Sequence, residues 1–181
     1  MAHVNADLIF EKHALPHFRA GMDVLELGGV YTRSRQRRLL AERGVAVNYH
    51  FADLKNLRGQ YPGYLNMTDE NRVDSPGERF DIVFSLNAME HVRKPWLWVR
   101  EIHRLLKTGG LMIVITPVFW QQHTTCDCYR YFPDGARSLL EEAGCDEVLV
   151  QMETLDTSEE SRRHQHGQGA VVDLITMGRK K

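Results

Sequence analysis

Residues 80–117 read FDIVFSLNAMEHVRKPWLWVREIHRLLKTGGLMIVITP. Phe80 to Leu86 is an apolar run of strand length, and NAMEH breaks it. Pro95 then opens a helix in which Trp98, Ile102, Leu105 and Leu106 recur at i, i+4, i+7 and i+8, on one face. Thr108-Gly109-Gly110 is the expected stop, because glycine accepts the left-handed cap. LMIVITP is apolar without alternation, as in a strand covered on both faces. Strand, helix, strand in that order is one crossover unit of a parallel sheet.

Other units extend it in both directions. MDVLELGG predicts a first strand ending in two glycines, the segment from Val30 to Arg43 a helix closed by Gly44, and VAVNYHFADL a second strand ending at Asp53. YLNMTD is a short third strand, and DSPGER a turn into the stretch above. After Pro117 comes an irregular aromatic and polar segment, 118–132. Pro133 then starts a helix with Phe132, Ala136, Leu139, Leu140 and Ala143 on one side. DEVLVQMETL and GAVVDLITMG are two more strands, too close in sequence for a helical crossover and therefore an antiparallel pair. At the amino terminus, Asn5 or Asp7 can cap a short helix carrying Leu8, Ile9 and Leu15. The expectation is a single domain over 1–181, with an N-terminal helical cap (1–20), an acceptor-side segment (118–132) and a flexible loop (156–169). Its fold class is α/β: a Rossmann-like, seven-stranded, mostly parallel sheet with a reversed last strand and helices on both faces.

Bulk properties exclude several roles. A chain of 181 residues with a net charge of −1 has no global field for nucleic acid, and no apolar run is long enough to span a membrane. The start, MAHVNADLIFEKH, carries acids and lacks a basic region, so it does not read as a signal peptide. Three cysteines make no disulfide framework, which fits a cytoplasmic setting. Arg33, Arg35, Arg37 and Arg38 read as a solvated face, with anion binding as the other reading. His164 and His166, in a polar loop, read as solvent-facing.

An open parallel sheet takes its ligand at the carboxyl ends of its strands. Glu26, Gly28 and Gly29 follow the first strand, where glycine permits close backbone approach. Asp53 ends the second strand and can accept from both hydroxyls of a ribose; the other reading is a helix cap. Asp69, after the third strand, can accept from an adenine amino group or simply hold a turn.

VLELGG, YHFADL, RFDIVFSLNAMEHV and EIHRLLKTGGLMIVITP together resemble the class I S-adenosylmethionine-dependent methyltransferases, from about Gly21 to Met177. The resemblance implies S-adenosylmethionine as cofactor and S-adenosylhomocysteine as product. Glu26 to Gly29 would hold its methionine part, Asp53 its ribose and the residue near Asp69 its adenine, with Leu54 and Leu86 as further cofactor contacts. The family's later loop glycines are replaced here by Val30 and Thr32. The 118–132 segment resembles a narrower branch through His123, Asp127, Tyr129, Arg130 and Phe132. That likeness makes Tyr129 and Arg130 candidate acceptor contacts, although Tyr129 can also anchor the loop by packing and Arg130 can pair with Asp127.

A hydroxyl acceptor needs a base near neutral pH, and His123 and His91 are the candidate catalytic residues. Some methyltransferases of this fold, among them ubiquinone O-methyltransferases, resemble this chain in an ExxEH segment that holds a divalent cation. Here Asn87 replaces the first acid, so the expected site assigns no metal ligand; the other reading is a divalent cation on Glu90, His91 and His123, which could still make three ligands of mixed N and O type. His123, Cys126 and Cys128 form H-x-x-C-x-C, but Cys145 is too distant in sequence to complete a zinc site. A nicotinamide oxidoreductase would want GxGxxG, and ELGGVYTR lacks it. The reading is O-methylation of a small-molecule, natural-product, glycan-type or carrier-linked acceptor, with a homodimer as one source of the acceptor pocket. An N-methyltransferase and an inactive cofactor-binding scaffold are the alternatives.

Overall fold

The computed structural model describes residues 4–29, 34–54, 61–123, 126–158 and 171–181. Val30, Thr32, Arg33, His164, His166 and most of the 156–169 loop lie outside them. The chain runs α1 (Val4–Ile9), β1 (Asp23–Leu27), α2 (Arg35–Glu42), β2 (Asn48–Asp53), β3 (Tyr64–Asp69), β4 (Arg72–Val73) and β5 (Phe80–Leu86). It continues with α3 (Pro95–Leu105), β6 (Leu106–Phe119), α4 (Pro133–Ala143), β7 (Cys145–Glu153) and β8 (Val172–Lys180). These strands form one sheet in the order β4-β3-β2-β1-β5-β6-β8-β7. β1, β2, β3, β5 and β6 pair in parallel, and β8 runs antiparallel to both β6 and β7.

Eight strands replace the expected seven. The Asp69 carboxylate accepts from the Asn71 N–H at 2.7 Å, folding the chain back so that Arg72 and Val73 pair antiparallel with β3. No helix follows between β3 and β5, because ten residues are too few for a helical crossover. Instead Glu78 and Arg79 donate to the last-turn carbonyls of Arg104 and Leu105, each at 2.9 Å.

Each central strand sends alternate side chains to two cores. Leu25, Val83, Met112 and Val114 pack with Trp98, Val99 and Ile102 of α3 and with Ala136 and Leu140 of α4. Val24, Ile82, Phe84, Ile113 and Ile115 pack on the other face with Ile9, Phe10, Leu39 and Leu40. Burial on both faces is why these strands read as unbroken apolar runs.

Several local expectations shift. α3 stops at Leu105, before the glycines, because Leu106 is already extended (φ −72°, ψ 141°). Gly109 (φ +76°) and Gly110 belong to a bulge in β6: Phe80 pairs with Leu106, whereas Ile82 pairs with Leu111. Phe132 precedes α4, points off its packed face, and lies exposed against Phe119 with ring centroids 6.3 Å apart. Asn5 does not cap α1 but is buried within it. Its Nδ2 donates to Asp173 Oδ2 (2.6 Å) and to the Glu153 carbonyl (3.1 Å), while its Oδ1 accepts from the N–H groups of Leu155 (2.6 Å) and Asp156 (2.9 Å).

The bulge supplies a stability test. A Cβ on Gly110 would lie 2.8 Å from the Lys107 carbonyl oxygen and 3.1 Å from that of Phe80, whereas one on Gly135 in α4 meets nothing within 4 Å. Gly110→Ala should cost about 1–3 kcal/mol and lower Tm by several degrees. Gly135→Ala should leave Tm unchanged or slightly raised. Equal Tm values for the two variants by calorimetry would refute the bulge packing.

Candidate functional site

The chain builds outward in opposite directions from β1 and β5, so the cleft between their carboxyl ends is the topological switch point. Two segments meet there closely. Gly28 sits at φ +75°, its N–H bonded to the Ala52 carbonyl at 2.9 Å, and a Cβ on it would fall 2.7 Å from Ala88 Cβ. A Cβ on Gly29 would strike the Glu26 carboxyl at 2.2 Å. A side chain at either position would collide with Ala88 or Glu26, so glycine is required on steric grounds.

Glu26 is buried beneath the turn. Its carboxylate accepts from the Tyr49 hydroxyl, which lies 3.1 Å from Ser34 Oγ, and Ser34 caps α2 by accepting from the Arg37 N–H. Burial raises the Glu26 carboxyl above its usual range, although Tyr49 and Ser34 pull it back. Asp53 ends β2, with its carbonyl accepting from Tyr64 at 3.0 Å, and Leu54 follows it exposed. Leu54 and Asp69 border a cleft of about 780 Å³ that runs along α3 past Arg93, Lys94 and Leu97. Asp69 also holds its own turn, and Leu86 is buried at the end of β5.

A second group gathers beside this cleft. The helical turn Met89–His91 is fully buried at Glu90, and neither carboxylate oxygen of Glu90 has a hydrogen-bond partner among the described residues. Desolvation pushes this carboxyl up to about 7. His91 Nδ1 lies 2.6 Å from the Cys126 carbonyl, an acceptor only, so Nδ1 carries the proton and Nε2 is the basic nitrogen, 3.7 Å from Glu90 Oε1. The His123 ring meets that of His91 edge-on, centroids 5.0 Å apart, with its Nδ1 3.2 Å from Asp127 Oδ2. The Arg130 guanidinium holds the Asp127 carboxyl below its usual range. Glu90, His91 and His123 each offer a ligand atom, all within 4.8 Å of one another.

Arg130 is not available to an acceptor. A guanidinium has five N–H donors, and here they serve Asp127 Oδ1, Asp127 Oδ2 and the carbonyls of Trp120, Tyr129 and Gln121. It is the internal strut of the 118–132 segment. Tyr129, partly exposed, donates to the Arg93 carbonyl at 3.2 Å, and buried Tyr131 donates to that of Met89 at 3.3 Å. These bonds dock the segment on the 89–93 turn. Sequence reasoning missed Asp173, fully buried at the start of β8 and hydrogen-bonded through its side chain to Asn5 and Asn87. Its signal was a single acid inside the apolar run VVDLITM.

Comparison with known proteins bears on the domain and the fold. Residues 25–114 match the family described as a methyltransferase domain. A ubiquinone biosynthesis O-methyltransferase of Cereibacter sphaeroides is 32% identical over 103 residues, covering 47% of this chain and 41% of that protein. The chain thus spans about two fifths of the length of the curated relatives it matches. Among solved structures, phosphoethanolamine N-methyltransferase 2 of Haemonchus contortus, in complex with S-adenosyl-L-methionine, superposes with a TM-score of 0.69 at 14% identity over 98% of this chain and 52% of that one. The [4+2]-cyclase SpnF superposes equally well, with a TM-score of 0.69 at 15% identity over 97% of this chain and 80% of that one. The shared architecture is an α/β methyltransferase fold.

The buried acids carry a pH signature. Desolvation pushes Asp173 up to about 7, against about 3.9 in the unfolded chain. Between those values the native state holds a proton that the unfolded state releases, so this stabilisation is complete below the lower value and is lost as pH rises through the upper one. Wild-type Tm should therefore fall between about pH 4 and about pH 7. Asp173→Asn should roughly halve that fall, with Glu90 carrying the rest. An identical fall in the variant would contradict the assignment.

Proposed function

We propose that this chain, whose residues 25–114 match a methyltransferase domain, moves the methyl group of S-adenosylmethionine to a hydroxyl of a small-molecule or carrier-linked acceptor. The observation that carries this reading is the buried Glu90 carboxyl, without a hydrogen-bond partner among the described residues, beside His91 and the His123–Asp127 pair, next to the glycine turn. An amine acceptor arrives with a lone pair at hand, whereas a hydroxyl must lose a proton at or near the transition state. Relatives named ubiquinone biosynthesis O-methyltransferases support the same choice.

The cradle fits the cofactor. Gly28 and Gly29 leave its floor open to close backbone approach, Asp53 would accept from the ribose hydroxyls, and Leu54, Asp69 and Leu86 would border the adenine. Glu26 acts from below, bracing the turn through Tyr49. Bound S-adenosylmethionine supplies an electrophilic methyl on a sulfonium. The protein aligns the acceptor oxygen with it and removes the oxygen's proton. His123 serves as the base through Nε2, because Asp127 fixes the proton on Nδ1 and stabilises the imidazolium that forms. His91 and Glu90 flank the path, and Tyr129 borders the acceptor side.

A divalent cation is the second reading, favoured by the three convergent ligand atoms of Glu90, His91 and His123. It would lower the acceptor hydroxyl's pKa in place of a base. Transfer of labelled methyl to a catechol or phenol acceptor separates the readings. His123→Ala should lower kcat by about 10²- to 10⁴-fold with cofactor affinity retained, in chelator as well as in magnesium. Activity lost to chelator and restored by magnesium would replace the base with the cation. An unchanged His123→Ala rate would overturn both.

A further inference from the structure

The chain has three cysteines, and two of them are neighbours in space as well as in sequence. Cys126 Sγ and Cys128 Sγ lie 3.5 Å apart in the 118–132 segment, Cys128 exposed and Cys126 part-covered. Both grip the turn that carries the proposed chemistry. The Cys126 thiol donates to the His91 carbonyl at 3.3 Å, the Cys126 carbonyl accepts from His91 Nδ1 at 2.6 Å, and the Cys128 N–H donates to the Glu90 carbonyl at 2.7 Å. Cys145 is buried at the start of β7.

We propose that Cys126 and Cys128 are a reversible redox modification site, closed to an intraloop disulfide by exchange with a small-molecule disulfide such as oxidised glutathione, and that closure displaces His91. The thiolate of exposed Cys128 attacks one sulfur of oxidised glutathione, giving a mixed disulfide and one glutathione thiolate. The Cys126 thiolate then attacks the Cys128 sulfur, forming the Sγ–Sγ bond and releasing the second glutathione. Two electrons pass from the cysteines to glutathione, and the two thiol protons leave with its thiolates. Closing 3.5 Å to a bond of about 2.05 Å requires the sulfurs to move by about 1.5 Å. The bonded Cys126 sulfur has no proton left for the His91 carbonyl, so one anchor of the His91 turn is lost. The carbonyl that fixes the His91 tautomer moves with the same residue.

The modification stands on this geometry alone, while its effect on catalysis rests on the proposed methyl transfer. Folded protein is incubated with oxidised glutathione at about pH 8, and the peptide holding both cysteines is weighed. His91 imidazole resonances are followed by NMR, assigned with His91→Gln. The wild type should lose two hydrogens on that peptide, move the His91 resonances, and recover both with dithiothreitol. Cys126→Ser should stop at the mixed disulfide. Methyl transfer should fall about ten- to a hundredfold on oxidation and return on reduction. A wild type that stops at the mixed disulfide, or stays fully alkylatable, overturns the site. A disulfide that leaves the His91 resonances in place overturns the coupling. Absence of methyl transfer to every acceptor tried, with the mass and NMR changes intact, would fall on the proposed activity and not on this site.

Discussion

Parallel pairing of β1 with β5, Val24 opposite Ile82 and Leu25 opposite Val83, is where the sheet changes its direction of growth. Both strands are buried on both faces, so neither can present polar chemistry along its length. Polar groups are confined to the strand ends, and the turns leaving β1 and β5 meet there. Gly28 and Ala88 lie so close that no larger residue fits between them. The close approach keeps the turn after β1 free of side chains at Gly28 and Gly29. The 118–132 segment, docked through Tyr129 and Tyr131, covers the neighbouring turn.

Around that cleft the molecule carries groups that oppose its stability. Glu90 and Asp173 are fully buried, and desolvation holds both carboxyls up to about 7. A chain selected for stability alone would place an apolar residue at either position. Asp173 has a structural use, since Asn5 and Asn87 join through it the amino-terminal helix to the turn after β5. Glu90 has none among the described residues, and an unpartnered buried acid beside two histidines fits a functional site that trades stability for reactivity.

Much of the fold was legible because burial on two faces writes itself as apolar runs. DVLEL, FDIVFSL and LMIVITP all became strands, and Pro95 and Pro133 mark the first residues of α3 and α4. The errors came where tertiary partners override local signals. Gly109 and Gly110 read as a helix stop but serve a strand bulge, because β6 steps from Leu106 opposite Phe80 to Leu111 opposite Ile82. Asn5 read as a cap but is claimed by β7 and β8, some 150 residues away. At the site, residue type announced His91 and His123, whereas the engagement of every Arg130 donor depends on loop geometry that no spacing encodes.

The central claim is that the switch-point cleft holds S-adenosylmethionine, and calorimetric titration of S-adenosylhomocysteine into the folded chain tests it most directly. The account predicts binding at micromolar levels, weakened at least about tenfold by Asp53→Ala, as expected for a ribose that loses a charge-assisted hydrogen bond. Absence of binding by protein that melts cooperatively, or equal affinity in the variant, would contradict it.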